Sequence, residues 1–249
     1  MIRDFLSAAA ILARAIQIIK QPGVRLYAIM PLLLNIVLFG GLIWYGYAQF
    51  SPVVEWLMSY LPGVLDFLRW IIWLLVTALT AVVVFFTFTP VANIIAAPFN
   101  ALLAEKIESI LTGKPIQSNT SFMALAISSV RSQLGKLIYI LIWSVGLLLV
   151  SFIPAVNFIS PLLWVVFGSW LLSLEYFDYP MGNHDLSFAD QKQRIGKRRG
   201  LALGFGASVM VLTSIPVINF VVMPLAVAGA TIIWAEQLAN ADEHDRYQR

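Results

Sequence analysis

The chain contains no cysteine, and only two of its 249 residues are histidine. The first absence excludes disulfide bonds, thiolate metal ligands and cysteine nucleophiles. The two histidines, His184 and His244, lie far apart in polar sequence, so we expect no transition-metal cluster. No basic stripe interleaves with aromatic residues, as a nucleic-acid surface requires. No Walker motif or other nucleotide-binding loop is present, which argues against direct use of ATP.

Charged residues are scarce as well, at 12% of the chain, whereas 60% is hydrophobic and the mean hydropathy is +0.84. This composition is too apolar for an ordinary soluble domain. The net charge of +3 is small. The sequence therefore predicts an all-α integral membrane protein, with residues 1–249 forming a single membrane domain in the lipid bilayer.

A motif of two prolines with an asparagine between them occurs three times in apolar sequence, at residues 90–98, 154–161 and 216–224. Proline interrupts a helix, and in lipid the freed backbone groups are tolerated only beside protein or a water-filled path. We therefore predict a helix break at each copy. Each asparagine amide either satisfies the freed groups, which we favour, or lines a path. These asparagines are Asn93, Asn157 and Asn219.

Two apolar runs, residues 27–50 and 67–88, reach the roughly 20 residues that a transmembrane helix needs. Residues 137–174 and 201–234 carry a proline motif at their centres and predict two helical hairpins. Each hairpin arm has only about 14 to 18 apolar residues, which leaves re-entrant hairpins and thin full crossings open and favours re-entrance. Residues 1–22 predict an uncleaved amphipathic helix at the membrane interface, with packing on the other helices as the alternative.

Lysine and arginine concentrate on the cytoplasmic side of a membrane protein and so predict its orientation. Four of them precede the first span: Arg3, Arg14, Lys20 and Arg25. The connection between the spans offers only Arg69. Residues 104–136, 175–200 and the tail 235–249 carry further basic residues. Both termini and these three segments are therefore expected to be cytoplasmic.

The segment Gln21-Pro22-Gly23-Val24-Arg25-Leu26 precedes the first span. Proline and glycine end one helix, and the next begins with unpaired backbone N–H groups beside an arginine. Such a site suits phosphate, sulfate or carboxylate. The alternative is a plain turn whose Arg25 reaches lipid headgroups, and on spacing alone that alternative is favoured.

Ionisable residues near the membrane offer a second candidate region. Glu105 and Glu108 share a helix face, and Arg131 lies in the stretch before the first hairpin. Such residues mark a permeation path or, more commonly, the solvated face of a cytoplasmic helix. Residues 175–185 gather acids, a histidine and tyrosines, but their position after a hairpin predicts a folded elbow in which Asp178 caps a helix or pairs with arginines. We expect no enzymatic activity and no cofactor.

Four motifs in order resemble the CysZ family of bacterial sulfate transporters over nearly the whole chain. They are Gln21-Pro22-Gly23-Val24-Arg25, residues 95–105, Tyr176-Phe177-Asp178-Tyr179-Pro180 with Asn183-His184, and residues 215–224 with Gly229-Ala230-Thr231. The resemblance implies an inner-membrane protein that brings sulfate into the cytoplasm for cysteine biosynthesis. It also implies two full transmembrane helices, partly inserted hairpins, and a homodimer or larger oligomer.

The resemblance also implies a sulfate site at Gly23, Val24, Arg25 and Leu26, which reverses the preference for a plain turn. Relatives often carry a second arginine where this chain has Leu26. The candidates for the permeation pathway are Asn93, Asn100, Glu105 and Arg131. The transport route is then channel-like or ion-coupled. The alternative function is a non-transporting membrane scaffold or assembly factor.

Overall fold

The computed structural model describes residues 2–60, 69–114, 122–154 and 156–239, and within these ranges all regular structure is helical. The all-α prediction is confirmed. The α-helices are, in chain order, α1 (Ile2–Ile19), α2 (Arg25–Met58), α3 (Arg69–Thr112), α4 (Phe122–Ser151), α5 (Ser160–Gly182), α6 (Phe188–Lys197), α7 (Arg199–Thr213) and α8 (Pro216–Ile233). A short 3₁₀ turn, Asn157–Ile159, precedes α5, and a π-helical turn, Trp234–Leu238, follows α8.

The chain divides into two compact units, one of residues 1–28 and 100–249 and the other of residues 29–99. The second unit takes most of α2 and α3, and these helices contain the predicted span 27–50 and residues 69–88 of the second one, whose first two residues lie outside the described ranges. Helix α3 has 44 residues and continues through Pro90 and Pro98, so the predicted break at the first proline motif is wrong. A proline removes only one hydrogen bond, and membrane helices tolerate this loss where neighbouring groups compensate.

The second proline motif does form a turn, between α4 and α5. Pro161 lies in the first turn of α5, where its missing N–H would have no partner in any case. The stretches 134–151 and 157–182 are each long and apolar enough to cross a membrane. The first stretch, with 18 residues, matches the upper end of the expected arm length, whereas the second, with 26, exceeds it, and re-entrance of this hairpin stays a prediction. Helix α5 continues to Gly182, which also extends it into the segment that the sequence assigned to the cytoplasm.

The third motif forms the turn between α7 and α8, and Pro216 is the first residue of α8. Helix α7 has 15 residues, so it spans about 22 Å, less than the roughly 30 Å of a hydrocarbon core. The partner arm is longer, because residues 221–238 are long and apolar enough to cross, and two thirds of them are buried in protein. With 15 and 18 residues, α7 and α8 both lie within the predicted arm length, and re-entrance of this hairpin stays a prediction.

Helix α1 packs its apolar face on α7 and α8, so the packing alternative is confirmed. The buried residues of that face are Ala8, Ile11, Leu12, Ala15 and Ile18. At the edge of this face Arg14 binds Glu236 through both terminal guanidinium nitrogens, at 2.7 and 2.8 Å. This two-point ion pair fixes the orientation of α1 against the end of α8.

Helices α5 and α7 approach each other backbone to backbone at Gly206. A methyl group added there would overlap the carbonyl oxygen of Ser169 and lie 2.7 Å from Ser173 Oγ. The Ser173 hydroxyl in turn lies 2.5 Å from the carbonyl oxygen of Ala202. Small residues at a helix contact permit this approach, and polar side chains then bond across it.

We expect the substitution Gly206→Ala to destabilise the protein by more than about 3 kcal/mol, because the backbone atoms that it meets cannot move aside. Gly146→Ala is the matched control, since nothing lies within 4 Å of a methyl group added at Gly146. The control should be neutral or raise stability by up to about 1 kcal/mol through helix propensity. Thermal unfolding of both variants in detergent measures the difference, and equal midpoints would contradict the packing described.

Candidate functional site

Residues 21–26 form a tight turn between α1 and α2. Gly23 has a φ of +89°, a left-handed conformation that glycine adopts without strain. The carbonyl oxygen of Gln21 accepts hydrogen bonds from the N–H groups of Val24, at 3.1 Å, and Arg25, at 3.3 Å. The turn therefore directs the chain into α2 with the first residues of that helix pointing their N–H groups back toward Gly23.

Val24 anchors this turn to the end of α3. Its side chain is fully buried in the same core as Leu103 and Ile107 of α3. The packing brings Lys106 to the turn, because a methyl group on Gly23 would lie 3.9 Å from Lys106 Cε. Sequence reasoning missed this lysine, since no local pattern connects residues so far apart in the chain.

The surface of the turn is positively polarised. Arg25, Leu26 and Lys106 are all exposed. Within the described ranges, neither Arg25 nor Lys106 forms an ion pair with a carboxylate, and the N–H groups of Gly23, Leu26 and Tyr27 have no backbone acceptor. The N-terminus of α2 adds the partial positive charge of its helix dipole. Two cations and three unpaired amides suit a small anion.

A second polar cluster lies inside the same unit, and we call its residues Asn100, Glu108, Tyr179, Asn183, His184 and Trp234 the polar seam. Glu108 is 4% exposed. Its Oε1 lies 2.7 Å from His184 Nε2 and accepts the indole N–H of Trp234 at 3.2 Å. Its Oε2 has no hydrogen-bond partner among the described residues.

Asn100 occupies the other end of the polar seam and is fully buried. Its Nδ2 lies 3.4 Å from the Tyr179 hydroxyl and 3.3 Å from Met223 Sδ, while its Oδ1 finds no donor in the part of the chain that is described. Asn183 Nδ2 donates to the carbonyl oxygen of Ala101 at 2.9 Å. The seam thus leaves acceptor oxygens unpaired, and acceptors suit a hydrogen-bond donor rather than a dianion.

The structure separates the candidate pathway residues. Asn100 is buried in the polar seam, whereas Glu105 is exposed. The interpretation of Glu105 and Glu108 as one solvated face is wrong, because Glu108 is buried against His184 and Trp234. Asn93 lies in α3 and Arg131 in α4, and the side chains of these two lie outside what the structure describes.

Two asparagines of the proline motifs form hydrogen bonds through their backbone N–H groups rather than through their side chains. The N–H of Asn157 donates to the carbonyl of Ile153 at 3.0 Å, and that of Asn219 donates to Ile215 at 2.9 Å. Both residues are exposed, and neither side chain hydrogen-bonds to another described residue. The prediction that the side-chain amide satisfies backbone groups freed by proline is therefore wrong for these two copies of the motif.

The acidic segment after the first hairpin forms ion pairs and hydrogen bonds, but residues 175–182 continue α5, so the predicted elbow is confined to the turn that follows Gly182. Lys136 pairs with Glu175 and lies 3.5 Å from Asp178, which also accepts Gln191 Nε2 at 2.8 Å. Asp178 thus lies within ion-pair distance of a lysine. Among the described residues, no three histidine or acidic side chains are grouped so as to hold a metal ion.

Comparison with known proteins identifies the relatives of this chain. The family model described as "Sulfate transporter CysZ/Etoposide-induced protein 2.4" matches residues 11–224. A protein of Pseudomonas fluorescens named sulfate transporter CysZ is 41% identical over 235 residues, which cover 93% of this chain and 94% of the relative. A protein of the same name from Vibrio parahaemolyticus is 40% identical over 229 residues, 90% of this chain and 92% of the relative.

We expect Glu108→Ala to lower the free energy of unfolding by about 1–3 kcal/mol, because it leaves the buried Trp234 N–H and His184 without their acceptor. Glu108→Gln retains an acceptor oxygen and should cost less. Glu105→Ala, one turn away but exposed, should stay within about 0.5 kcal/mol of the parent. Chemical denaturation in detergent measures all three, and an equal loss for the Glu105 and Glu108 variants would contradict the burial of Glu108.

Proposed function

Because the chain belongs to the sulfate transporter CysZ/etoposide-induced protein 2.4 family, we propose that it carries sulfate across the bacterial inner membrane into the cytoplasm. There the sulfur supplies cysteine biosynthesis. The observation that carries the proposal in this chain is the cationic turn, where Lys106 of α3 reaches Gly23, two residues before the exposed Arg25, beside unpaired backbone amides. A non-transporting scaffold is not favoured, since relatives at about 40% identity are named as transporters.

Sulfate fits the chemistry of this turn. The Arg25 guanidinium offers a planar fork to two sulfate oxygens, and the amides at the start of α2 offer further donors. Lys106 supplies the second positive charge that relatives place directly after the first arginine and that Leu26 lacks. The proposed sulfate site therefore consists of Gly23, Val24, Arg25 and Leu26, completed by Lys106 from α3.

The membrane potential, negative on the cytoplasmic side, opposes the entry of an anion by about 2.3 kcal/mol per charge per 100 mV. For the sulfate dianion this work is about 4.6 kcal/mol at 100 mV. Either rapid consumption inside the cell or a cotransported ion offsets this cost. The protein therefore works as a channel-like or ion-coupled permease, and no residue pattern in it indicates nucleotide hydrolysis or other catalysis.

The proposed arrangement in the membrane follows the charge distribution. Both termini face the cytoplasm, and the protein assembles as a homodimer or larger homo-oligomer. Asn93, Asn100, Glu105 and Arg131 are the proposed pathway residues. Of these, Asn100 is fully buried, and its unpaired Oδ1 is an acceptor for a donor such as water rather than for the dianion itself.

Arg25→Ala and Lys106→Ala should each raise the KM for sulfate at least tenfold, because each removes a charge-assisted hydrogen bond of about 1.5–3 kcal/mol. Uptake of labelled sulfate into proteoliposomes of the purified protein measures this effect. Lys114→Ala is the matched control, since Lys114 is an exposed lysine beyond the end of α3. Uptake no higher than in empty liposomes would contradict transport, whereas unchanged KM in both variants would contradict only the binding turn.

Leu26→Arg should lower the KM for sulfate severalfold, because it adds the second guanidinium at an exposed position, with 59% of Leu26 accessible. Gln17→Arg adds the same charge on the exposed side of α1 and serves as the control. The two variants differ only in distance from the turn. Equal KM values would show that general surface charge, rather than the turn, governs sulfate capture.

A further inference from the structure

A groove of about 890 Å³ lies among helices α4, α5, α6 and α7, well separated in sequence from the proposed sulfate turn. We call it the basic groove. Its lining residues are Tyr139, Trp143, Leu147, Leu163, Val166, Phe167, Trp170, Lys192, Gln193, Gly196, Lys197, Arg199 and Leu203. The proposed sulfate transport uses none of them.

The larger part of this groove is apolar and runs along the helices. Tyr139, Trp143 and Leu147 follow one another at four-residue spacing, so they share a face of α4 and extend over about 12 Å. The Trp170 indole N–H donates to the Tyr139 hydroxyl at 3.0 Å, which fixes the two aromatic walls together. The membrane-length stretch 134–151 of α4 is only 6% buried in protein. This part of the groove is therefore a slot open to acyl chains.

The other end of the groove is cationic. Lys192 and Lys197 come from α6, and Arg199 begins α7. Lys192 Nζ lies 5.0 Å from the centroid of the Tyr139 ring, at the junction of the charged end and the aromatic walls. No acidic side chain is found among the lining residues in the described part of the chain. Three positive charges at one end of an apolar slot match the polarity of an anionic phospholipid.

We propose that the basic groove binds one anionic phospholipid, with its headgroup phosphate at Lys192, Lys197 and Arg199 and an acyl chain along Tyr139, Trp143 and Leu147. A second copy of this chain would cover the apolar slot, but it would also remove three basic side chains from water, which is costly. A free phosphate would satisfy the cations and leave the aromatic slot without a ligand. A phospholipid satisfies both ends at once.

Native mass spectrometry of the full-length protein in detergent tests the site, with phosphatidylglycerol or phosphatidylcholine added at equal concentrations. We expect preferential retention of phosphatidylglycerol. Lys192→Gln should weaken it about fivefold, equivalent to about 1 kcal/mol for one cation near a headgroup. Lys114→Gln, which removes an exposed lysine outside the groove, should leave retention unchanged. Equal retention of the two lipids, or equal binding by the two variants, would overturn the proposal.

A second variant separates the occupants of the slot. Leu147→Trp fills the apolar part and keeps all three cations, so it should reduce phosphatidylglycerol retention while the oligomer mass stays the same. A shift to a smaller oligomer in this variant, without loss of lipid, would instead assign the groove to a second copy. Glycerol phosphate at equal concentration should not displace the lipid, and displacement would assign the site to a free phosphate.

Discussion

The constraint on which this structure depends is that lipid offers no hydrogen-bond partners to the backbone. All described regular structure is helical, and proline is placed accordingly. Pro161 and Pro216 stand in the first turn of a helix, where no N–H is needed. The carbonyls of the residues just before each turn receive the N–H groups of Asn157 and Asn219. Each hairpin thus turns without leaving these groups unpaired.

A second consequence is that packing, rather than the burial of apolar surface alone, holds the helices together. Apolar side chains that face lipid gain little from leaving it, so close contact and polar bonds decide the association. Gly206 lets α5 and α7 touch at the backbone, and Gly229 receives Leu12 of α1. Arg14 and Glu236 then pair at the edge of this assembly.

The sequence was sufficient for the helical class and for the turn at Gly23, because both depend on local rules. Composition indicated the helical membrane class, and Pro22-Gly23 with Arg25 indicated the turn. Helix α3 shows where local rules fail, since its length outweighs the propensity of Pro90 and Pro98 to interrupt it. Glu108 shows that local rules also fail to predict which charged side chains are buried.

Glu108 was expected to share a solvated face with Glu105, but its partners come from far along the chain. His184 and Trp234 lie 76 and 126 residues away, and only the folded chain brings them to the carboxylate. Lys106 is hidden from sequence reasoning for the same reason, because Val24 and Leu103 bring it to Gly23 through a shared core. The spacing of residues within α3 therefore predicts neither the contacts of Glu108 nor the position of Lys106 beside Gly23.

Lys106 and Glu108 also show how α3 presents a cation on one side and a buried carboxylate on the other. Lys106 and Glu108 are two positions apart, which on a helix places them about 200° apart around the axis. The carboxylate therefore points into the polar seam while the ammonium points out to the turn. Because the bonds from His184 and Trp234 hold Glu108 in place, they fix the rotation of α3 and with it the position of Lys106. The buried carboxylate is thus a positioning residue for the cation beside the proposed sulfate site.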